Sequence, residues 1–193
     1  MLRKTIKNIA LLDLQNFTAE ALREIKKIES CAMLLIPKNA SDEWKNAYAK
    51  ITIRNVASII EVSYGKYSVL NGMVVLNDKN VSDDCLYIVN GIVILETVEK
   101  IPDLCVNGLL LKRKKSRYEM TRMNGRSVEV EDNVVIKPYP NTIEIDGDTV
   151  RSFDYNTLVA AGNNVDIVDD VTEQMLSDKK ITFAAGNEVK CGK

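Results

Sequence analysis

Residues 86–95, Leu-Tyr-Ile-Val-Asn-Gly-Ile-Val-Ile-Leu, contain the pattern that decides the fold. Their Asn-Gly pair also occurs at 71–72, 107–108 and 124–125, so the four pairs are 19, 17 and 17 residues apart. Apolar runs follow the first three pairs directly. Regular self-similarity of this kind is typical of solenoids, in which each unit buries its apolar side only when a neighbour covers it. The spacing therefore predicts parallel strands stacked on one another.

A longer match near the C-terminus predicts the same arrangement. Residues 159–165, Val-Ala-Ala-Gly-Asn-Asn-Val, return as Phe-Ala-Ala-Gly-Asn-Glu-Val at 183–189, an offset of 24 residues. Between the two copies, Thr172 is expected to begin a helical turn. Because no polar cap follows Val189, we expect either a longer natural chain or an end that stacks on another molecule.

The first third of the chain alternates strand-like and helix-like segments. Strands are predicted at 9–14, 31–36 and 57–62. Thr18 is the predicted N-cap of a first helix with apolar residues at helical spacing, and Ser41 starts a second helix. The apolar positions predicted for the first helix are Ala21, Leu22, Ile25 and Ile28. We predict two domains, an α/β part over 1–62 and a β-solenoid part over 63–193.

Ile9, Leu12 and Leu14 have the spacing of the first apolar positions of a leucine-rich repeat. The first part of the chain thus resembles leucine-rich-repeat proteins, although Phe17 stands where such a repeat has its asparagine. The later Asn-Gly units look like the coils of a parallel β-solenoid. Both resemblances imply a β-rich repeat solenoid with a parallel β ladder, and neither implies an activity.

Asn-Gly between apolar runs also indicates another fold. Both residues tolerate the positive φ that a two-residue type I′ β-hairpin requires. Four such hairpins would form an antiparallel β-meander or barrel. Continuous apolar runs after glycine favour strands buried on both faces, and therefore the parallel arrangement.

Composition argues against most enzyme classes. The chain has 193 residues, 46% hydrophobic and 27% charged, with a net charge of −1 and no histidine. Without histidine, the usual base at neutral pH and the commonest metal ligand are missing. We find no nucleotide-binding glycine motif and no nucleophile elbow. The sequence therefore predicts no catalytic residue, no cofactor and no metal site.

Cysteine spacing and hydropathy set the expected environment. Cys31, Cys85, Cys105 and Cys191 form no metal-binding spacing, and we predict buried, reduced side chains in preference to a disulfide. No stretch reaches the ~20 apolar residues of a membrane span, so we expect no membrane contact. The early apolar run ends at Asp13. We expect a soluble cytoplasmic protein, with an export signal removed before this numbering as the alternative.

Acidic residues cluster toward the C-terminus. From 129 to 178 there are twelve Asp or Glu residues against Lys137 and Arg151. The segment 146–148, Asp-Gly-Asp, and the group Asp166, Asp169 and Asp170 would supply oxygen ligands, although neither follows the calcium-loop spacing. We interpret them as turns and solvated surface. The alternative is a carboxylate-based domain that binds a metal or binds and processes a glycan.

Positive charge is concentrated between residues 112 and 126. The seven cations, which we call the basic patch, are Lys112, Arg113, Lys114, Lys115, Arg117, Arg122 and Arg126. They are opposed only by Glu119, and Tyr118 lies among them. A solvated connection or a protein contact explains the patch better than nucleic acid, because aromatic content is only 6%. We predict a non-catalytic interaction or scaffolding module that binds another protein or itself.

Overall fold

The computed structural model describes residues 4–63 and 65–192. In these residues strands dominate, and the helices have at most seven residues. The chain divides into two compact units, Met1–Tyr67 and Ser68–Lys193. The prediction of a β-rich protein with parallel sheets is confirmed.

The first unit is a three-stranded parallel sheet with two short helices. Its elements are β1 (Lys4–Asp13), α1 (Ala19–Arg23), β2 (Ile25–Pro37), α2 (Asp42–Tyr48) and β3 (Thr52–Val62). The strand order is β1-β2-β3. Thr18 and Ser41 begin the helices as predicted: their side-chain oxygens accept hydrogen bonds at 3.2 Å from the backbone N–H groups of Ala21 and Trp44.

Helix α1 is shorter than the apolar spacing predicts. It ends at Arg23, and Ile25 and Ile28 belong to β2. There they pair in parallel register with Lys4 and Ile6 of β1. Because β-branched side chains favour strands, pairing with β1 outweighs the local helical spacing. The prediction that Ile25 and Ile28 are helical is wrong.

Each strand of the first unit bends at one residue. Asn8, Ser30 and Asn55 have φ angles of 59°, 54° and 51°. The pairing on either side of them aligns the three residues across the sheet. The strands predicted at 9–14, 31–36 and 57–62 are the parts that follow these bends. We call the aligned residues the first-unit corner.

The core of the first unit lies between the sheet and its helices. Leu14, Leu22, Ile28 and Leu34 are fully buried there. Trp44 of α2 closes the core, and its indole Nε1 donates a hydrogen bond to the carbonyl oxygen of Phe17 at 3.0 Å. The buried indole N–H therefore has a partner.

The second unit begins with a four-stranded parallel sheet. Its strands, in this order across the sheet, are β4 (Tyr67–Asn77), β5 (Leu86–Glu96), β6 (Asp103–Arg113) and β7 (Glu119–Val130). The register aligns Asn90, Asn107 and Asn124. Asn90 donates a side-chain hydrogen bond to Asn71 Oδ1 at 2.9 Å, which continues the row onto β4. The spacing of the Asn-Gly pairs in sequence is therefore the offset between neighbouring strands.

The hairpin alternative is wrong. A type I′ turn needs positive φ at both residues of the pair. Only the glycines have it: Gly72, Gly91, Gly108 and Gly125 have φ angles of 84°, 136°, 138° and 143°. The strands bend at these glycines, which we call the second-unit corner, and continue beside parallel partners. Every sheet keeps two edge strands, so the described strands close no barrel.

The C-terminal part of the second unit has two further parallel sheets. Its elements are β8 (Val135–Tyr139), β9 (Ile143–Ile145), α3 (Gly147–Ser152), β10 (Thr157–Ala161), β11 (Asn164–Ile167), α4 (Glu173–Lys179), β12 (Thr182–Ala185) and β13 (Glu188–Cys191). The sheet orders are β12-β10-β8 and β13-β11-β9. Val159 pairs with Phe183, and Val165 pairs with Val189. The 24-residue match in the sequence is thus the strand register. Thr172 caps α4 as predicted.

Apolar side chains cover both faces of the four-stranded sheet. One face contributes Val89, Val93, Val106 and Leu110 to a core. On the other face, Ile92, Ile94, Leu109 and Leu111 form a core with Leu158, Ala160 and Ala184 of β10 and β12. The alternate residues of β10 belong to a third core with residues of α3 and α4. The middle strands are therefore buried on both faces, as their continuous apolar runs predict.

Candidate interaction surface

Most of the basic patch is neutralised by carboxylates of the same unit. Lys112 Nζ is 3.2 Å from Glu129 Oε2, Lys114 Nζ is 2.5 Å from Glu131 Oε1, and Lys115 Nζ is 3.5 Å from Asp132 Oδ2. Hydrogen bonding to Glu129 and Glu131 raises the pKa values of Lys112 and Lys114. These lysines remain charged, but each has a carboxylate partner. A phosphate would have to compete with it.

The spacing of these ion pairs matches the sheet register. Lys112 and Glu129 are 17 residues apart, and so are Lys114 and Glu131. The same offset separates the last two Asn-Gly pairs. Adding 17 to each cation position in the sequence would therefore have found these partners. The sequence analysis missed this signal because it treated the two charge clusters separately.

Arg113 has a structural role. Its guanidinium Nη1 donates hydrogen bonds to the carbonyl oxygens of Glu131 at 2.6 Å and Val134 at 3.0 Å. Its Nε is 3.6 Å from Glu96 Oε1. Because arginine presents several donors in a fixed plane, one side chain joins the connections around β5, β6 and β7. Arg113 is therefore poorly placed to bind a partner.

Three members of the basic patch have no ion-pair partner among residues 4–63 and 65–192. Arg117 and Arg126 are exposed, and Arg122 is half-buried. Arg117 lies in the connection after β6, whereas Arg122 and Arg126 lie on β7. The free positive charge is thus smaller than the sequence indicates.

The candidate calcium-type segment caps a helix. Asp146 is the N-cap of α3, and its Oδ1 accepts a hydrogen bond from Thr149 N at 2.7 Å. The Thr149 side chain and backbone lower the pKa of Asp146. Asp148 forms an ion pair with Arg151 at 2.6 Å. The sequence analysis expected turns here and missed the helix.

The other candidate carboxylates are separated. Asp170 accepts a hydrogen bond from Gly147 N, with both carboxylate oxygens at 3.1 Å. Asp166 lies on β11, and its Oδ1 is buried without a hydrogen-bond partner. Asp169 is exposed in the turn after β11. The described part of the chain contains no group of three Cys, Asp or Glu side chains arranged to hold a metal ion.

A cleft of about 360 Å³ lies where α4 approaches the last residues of β11 and β13. Its lining includes Ile167, Val171, Leu176 and Cys191, with the carboxylates of Asp169 and Glu173. The volume is near the lower end of the ~300–1,000 Å³ range of small-molecule sites. Neither Asp166 nor Asp170 lines the cleft.

All four cysteines are free thiols. Cys31 and Cys105 are buried as predicted, and burial raises the pKa of the Cys105 thiol. Cys191 is exposed at the end of β13, so the prediction of burial is wrong for this residue. An edge strand leaves one flank of its side chains uncovered, which explains the difference.

Loops of the second unit are held together by a carboxylate that the sequence analysis missed. Asp78, which follows β4, accepts hydrogen bonds from the backbone N–H groups of Val98, Glu99 and Lys100 at 3.0–3.2 Å. These bonds, with Lys100 first, lower the pKa of Asp78. Their geometry cannot be inferred from composition, because the donors belong to the next connection of the chain.

The edge strand β4 presents exposed apolar side chains. Val69, Met73 and Val75 are 41%, 46% and 39% exposed. They occupy odd-numbered positions, while Leu70 and Val74 pack toward the core. On β5, the residues after its Asn-Gly pair, Ile92 and Ile94, are buried. We call Val69, Met73 and Val75 the β4 apolar row.

Comparisons with known proteins return no relative: no family model, no curated protein and no solved structure matches the chain. None of the described helices has both the length and the apolar character needed to cross a membrane.

Proposed function

We propose that this protein is a non-catalytic β-solenoid module that binds another protein, with a second copy of the chain as partner. The observation that carries the proposal is the β4 apolar row. Contiguous exposed apolar side chains are characteristic of contact surfaces in folded proteins. The parallel register of the Asn-Gly strands supports the solenoid, since stacked strands present long regular surfaces.

Charge distribution supports self-association. Arg117 and Arg126 are exposed and lack ion-pair partners within the described chain. Glu144, Asp169 and Glu173 are exposed carboxylates in the same condition. Opposite charges on two copies would guide their encounter and fix their orientation. Contact between different surfaces of successive copies would generate rings or filaments, whereas contact between identical surfaces would give a closed dimer.

Light scattering at low and high salt tests the proposal. We expect the wild-type chain to have a mass above that of a monomer, and the double variant Met73→Lys/Val75→Lys to be a folded monomer. Val98→Lys is the matched control, because Val98 is 51% exposed but lies in a connection outside the β4 apolar row. A wild-type monomer under both conditions would remove self-association. Equal effects of the control and the double variant would remove the β4 apolar row as the contact.

The cleft near α4 favours a second candidate, the carboxylate-based binding domain. Asp169 and Glu173 would supply its oxygen ligands. Ligands that bind only the folded state raise the thermal midpoint. A higher midpoint in Ca²⁺ or Mg²⁺, lost in Asp169→Asn/Glu173→Gln, would favour this candidate over the interaction module.

A further inference from the structure

The four Asn-Gly pairs differ in how their carboxamides are held. Asn90 donates to Asn71 Oδ1 at 2.9 Å and accepts from Asn107 Nδ2 at 2.8 Å. Asn71 and Asn107 therefore have one bond each within this row, and Asn90 has two. The carboxamide of Asn124 has no hydrogen-bond partner in the described part of the chain, and it is exposed. Asn124 also lies on β7, an edge strand.

Asparagine before glycine can lose its side-chain amide without an enzyme. The backbone nitrogen of the glycine attacks the asparagine Cγ and forms a C–N bond. The Cγ–Nδ2 bond breaks, and ammonia leaves with the proton from the glycine nitrogen. Water then opens the cyclic imide to aspartate or isoaspartate. Because glycine has no side chain to hinder the attack, this dipeptide is especially reactive, and water is the only co-reactant.

We propose that Asn124 is a deamidation site of the folded protein and that the asparagine row protects Asn90 and Asn107. The reaction requires the carboxamide and the backbone to move together. Local opening costs less free energy at edges than in central strands, and β5 and β6 are central. The unbonded carboxamide of Asn124 removes a further restraint. This inference does not depend on the proposed interaction.

Charge near Asn124 acts in the same direction. Arg122 and Arg126 stand two residues before and after it, and neither has an ion-pair partner in the described part of the chain. Positive charge stabilises the anionic nitrogen and oxygen that develop during attack. No cation stands at the corresponding positions around Asn90, which are Ile88 and Ile92. The reaction is therefore favoured at Asn124 by both mobility and electrostatics.

The product would change the edge of the sheet. Aspartate places a carboxylate between two arginines, and isoaspartate also adds a methylene to the backbone. The space there is limited, since a Cβ built on Gly125 would lie 1.9 Å from the carbonyl oxygen of Gly108. A longer backbone at this point would disturb the register of β7 on β6.

Peptide mapping by mass spectrometry after incubation at mildly alkaline pH tests the proposal. In the folded protein we expect deamidation at Asn124 to be at least about tenfold faster than at Asn90 or Asn107, equivalent to about 1.4 kcal/mol in the free energy of activation. In denaturant the four sites should react at similar rates, because they share the same dipeptide. Comparable rates at Asn124, Asn90 and Asn107 in the folded protein would overturn the proposal.

Two variants assign the effect. Asn124→Gln should remove the fast charge change seen by isoelectric focusing. Arg122→Gln/Arg126→Gln should slow deamidation at Asn124 in the folded protein while keeping it the fastest of the four sites. If the fast charge change persists in Asn124→Gln, the modified residue lies elsewhere and the proposal is wrong.

Discussion

The two units solve the same problem with different residues. Each bends its parallel strands at an aligned row of residues with positive φ. The first-unit corner consists of Asn8, Ser30 and Asn55, with φ between 51° and 59°. The second-unit corner consists of four glycines, three of which have φ between 136° and 143°. Only the first set of angles is in the left-handed region that asparagine tolerates.

The difference follows from how closely the strands approach. In the second-unit corner, a Cβ on Gly91 or Gly108 would lie 2.1 or 2.2 Å from the carbonyl oxygen of the preceding glycine. No side chain fits there, so glycine is required for both space and backbone angle. The first-unit corner has side chains at all three positions. A row of glycines thus permits a bend that asparagine or serine cannot make.

Replacing Gly108 by alanine should produce the largest loss of stability. The new Cβ would meet the backbone of Gly91 at 2.2 Å, and backbone cannot move aside as a flexible side chain would. We expect the free energy of unfolding to fall by at least about 3 kcal/mol, measured by chemical denaturation.

Gly72→Ala is the matched control. It lies in the same row with φ of 84°, but nothing lies within 4 Å of its Cβ position. Only backbone strain of about 1–2 kcal/mol is expected there. If both variants lose the same free energy, close packing does not explain the glycines of the second-unit corner.

This contrast explains why the sequence predicts one unit better than the other. Glycine is recognisable in a sequence, and the offset of the Asn-Gly pairs is the offset of the strands that contain them. Nothing marks Ser30 as a bend, because its positive φ depends on pairing with β1 and β3. The same dependence on tertiary contacts moved Ile25 and Ile28 from a predicted helix into β2.

The candidate surface was harder to predict than the fold. Charge counts identified the basic patch, but they could not show which cations have partners. Lys114 is neutralised by Glu131, whereas Arg126 is not neutralised by any described residue. The β4 apolar row was also invisible, because Met73 and Val75 have the same pattern as the buried Ile92 and Ile94. Exposure depends on which strand is at the edge, and a sequence does not state this.

The two units also differ in how their connections are held, and Asp78 tests this. The first unit caps helices with Thr18 and Ser41, whereas Asp78 binds three backbone N–H groups across a connection. We expect Asp78→Asn to lower the thermal midpoint at neutral pH by less than Gly108→Ala does. The neutral amide keeps the shape of the side chain and loses the charge-assisted bonds.

The pH dependence of this effect has a definite sign. The pKa of Asp78 is lower in the folded protein than in the unfolded chain, so its contribution is fully present above the unfolded pKa. It is lost as pH falls through the folded pKa. The difference in midpoint between wild type and Asp78→Asn should therefore shrink below about pH 4, where free aspartate becomes protonated. A difference that is constant with pH would show that charge is not involved.

Replacing Ser30 by glycine should give the smallest effect and the opposite sign. Ser30 has φ of 54°, is exposed, and has no asparagine side chain to ease the left-handed conformation. Removing its Cβ relieves strain, but glycine also gains entropy in the unfolded chain. We expect a net stabilisation below about 1 kcal/mol, measured by chemical denaturation. Ser58→Gly on β3, which has no positive φ, should destabilise by about the same amount. Destabilisation by both variants would mean that the first-unit corner is set by its side chains and does not share the backbone requirement of the glycine row.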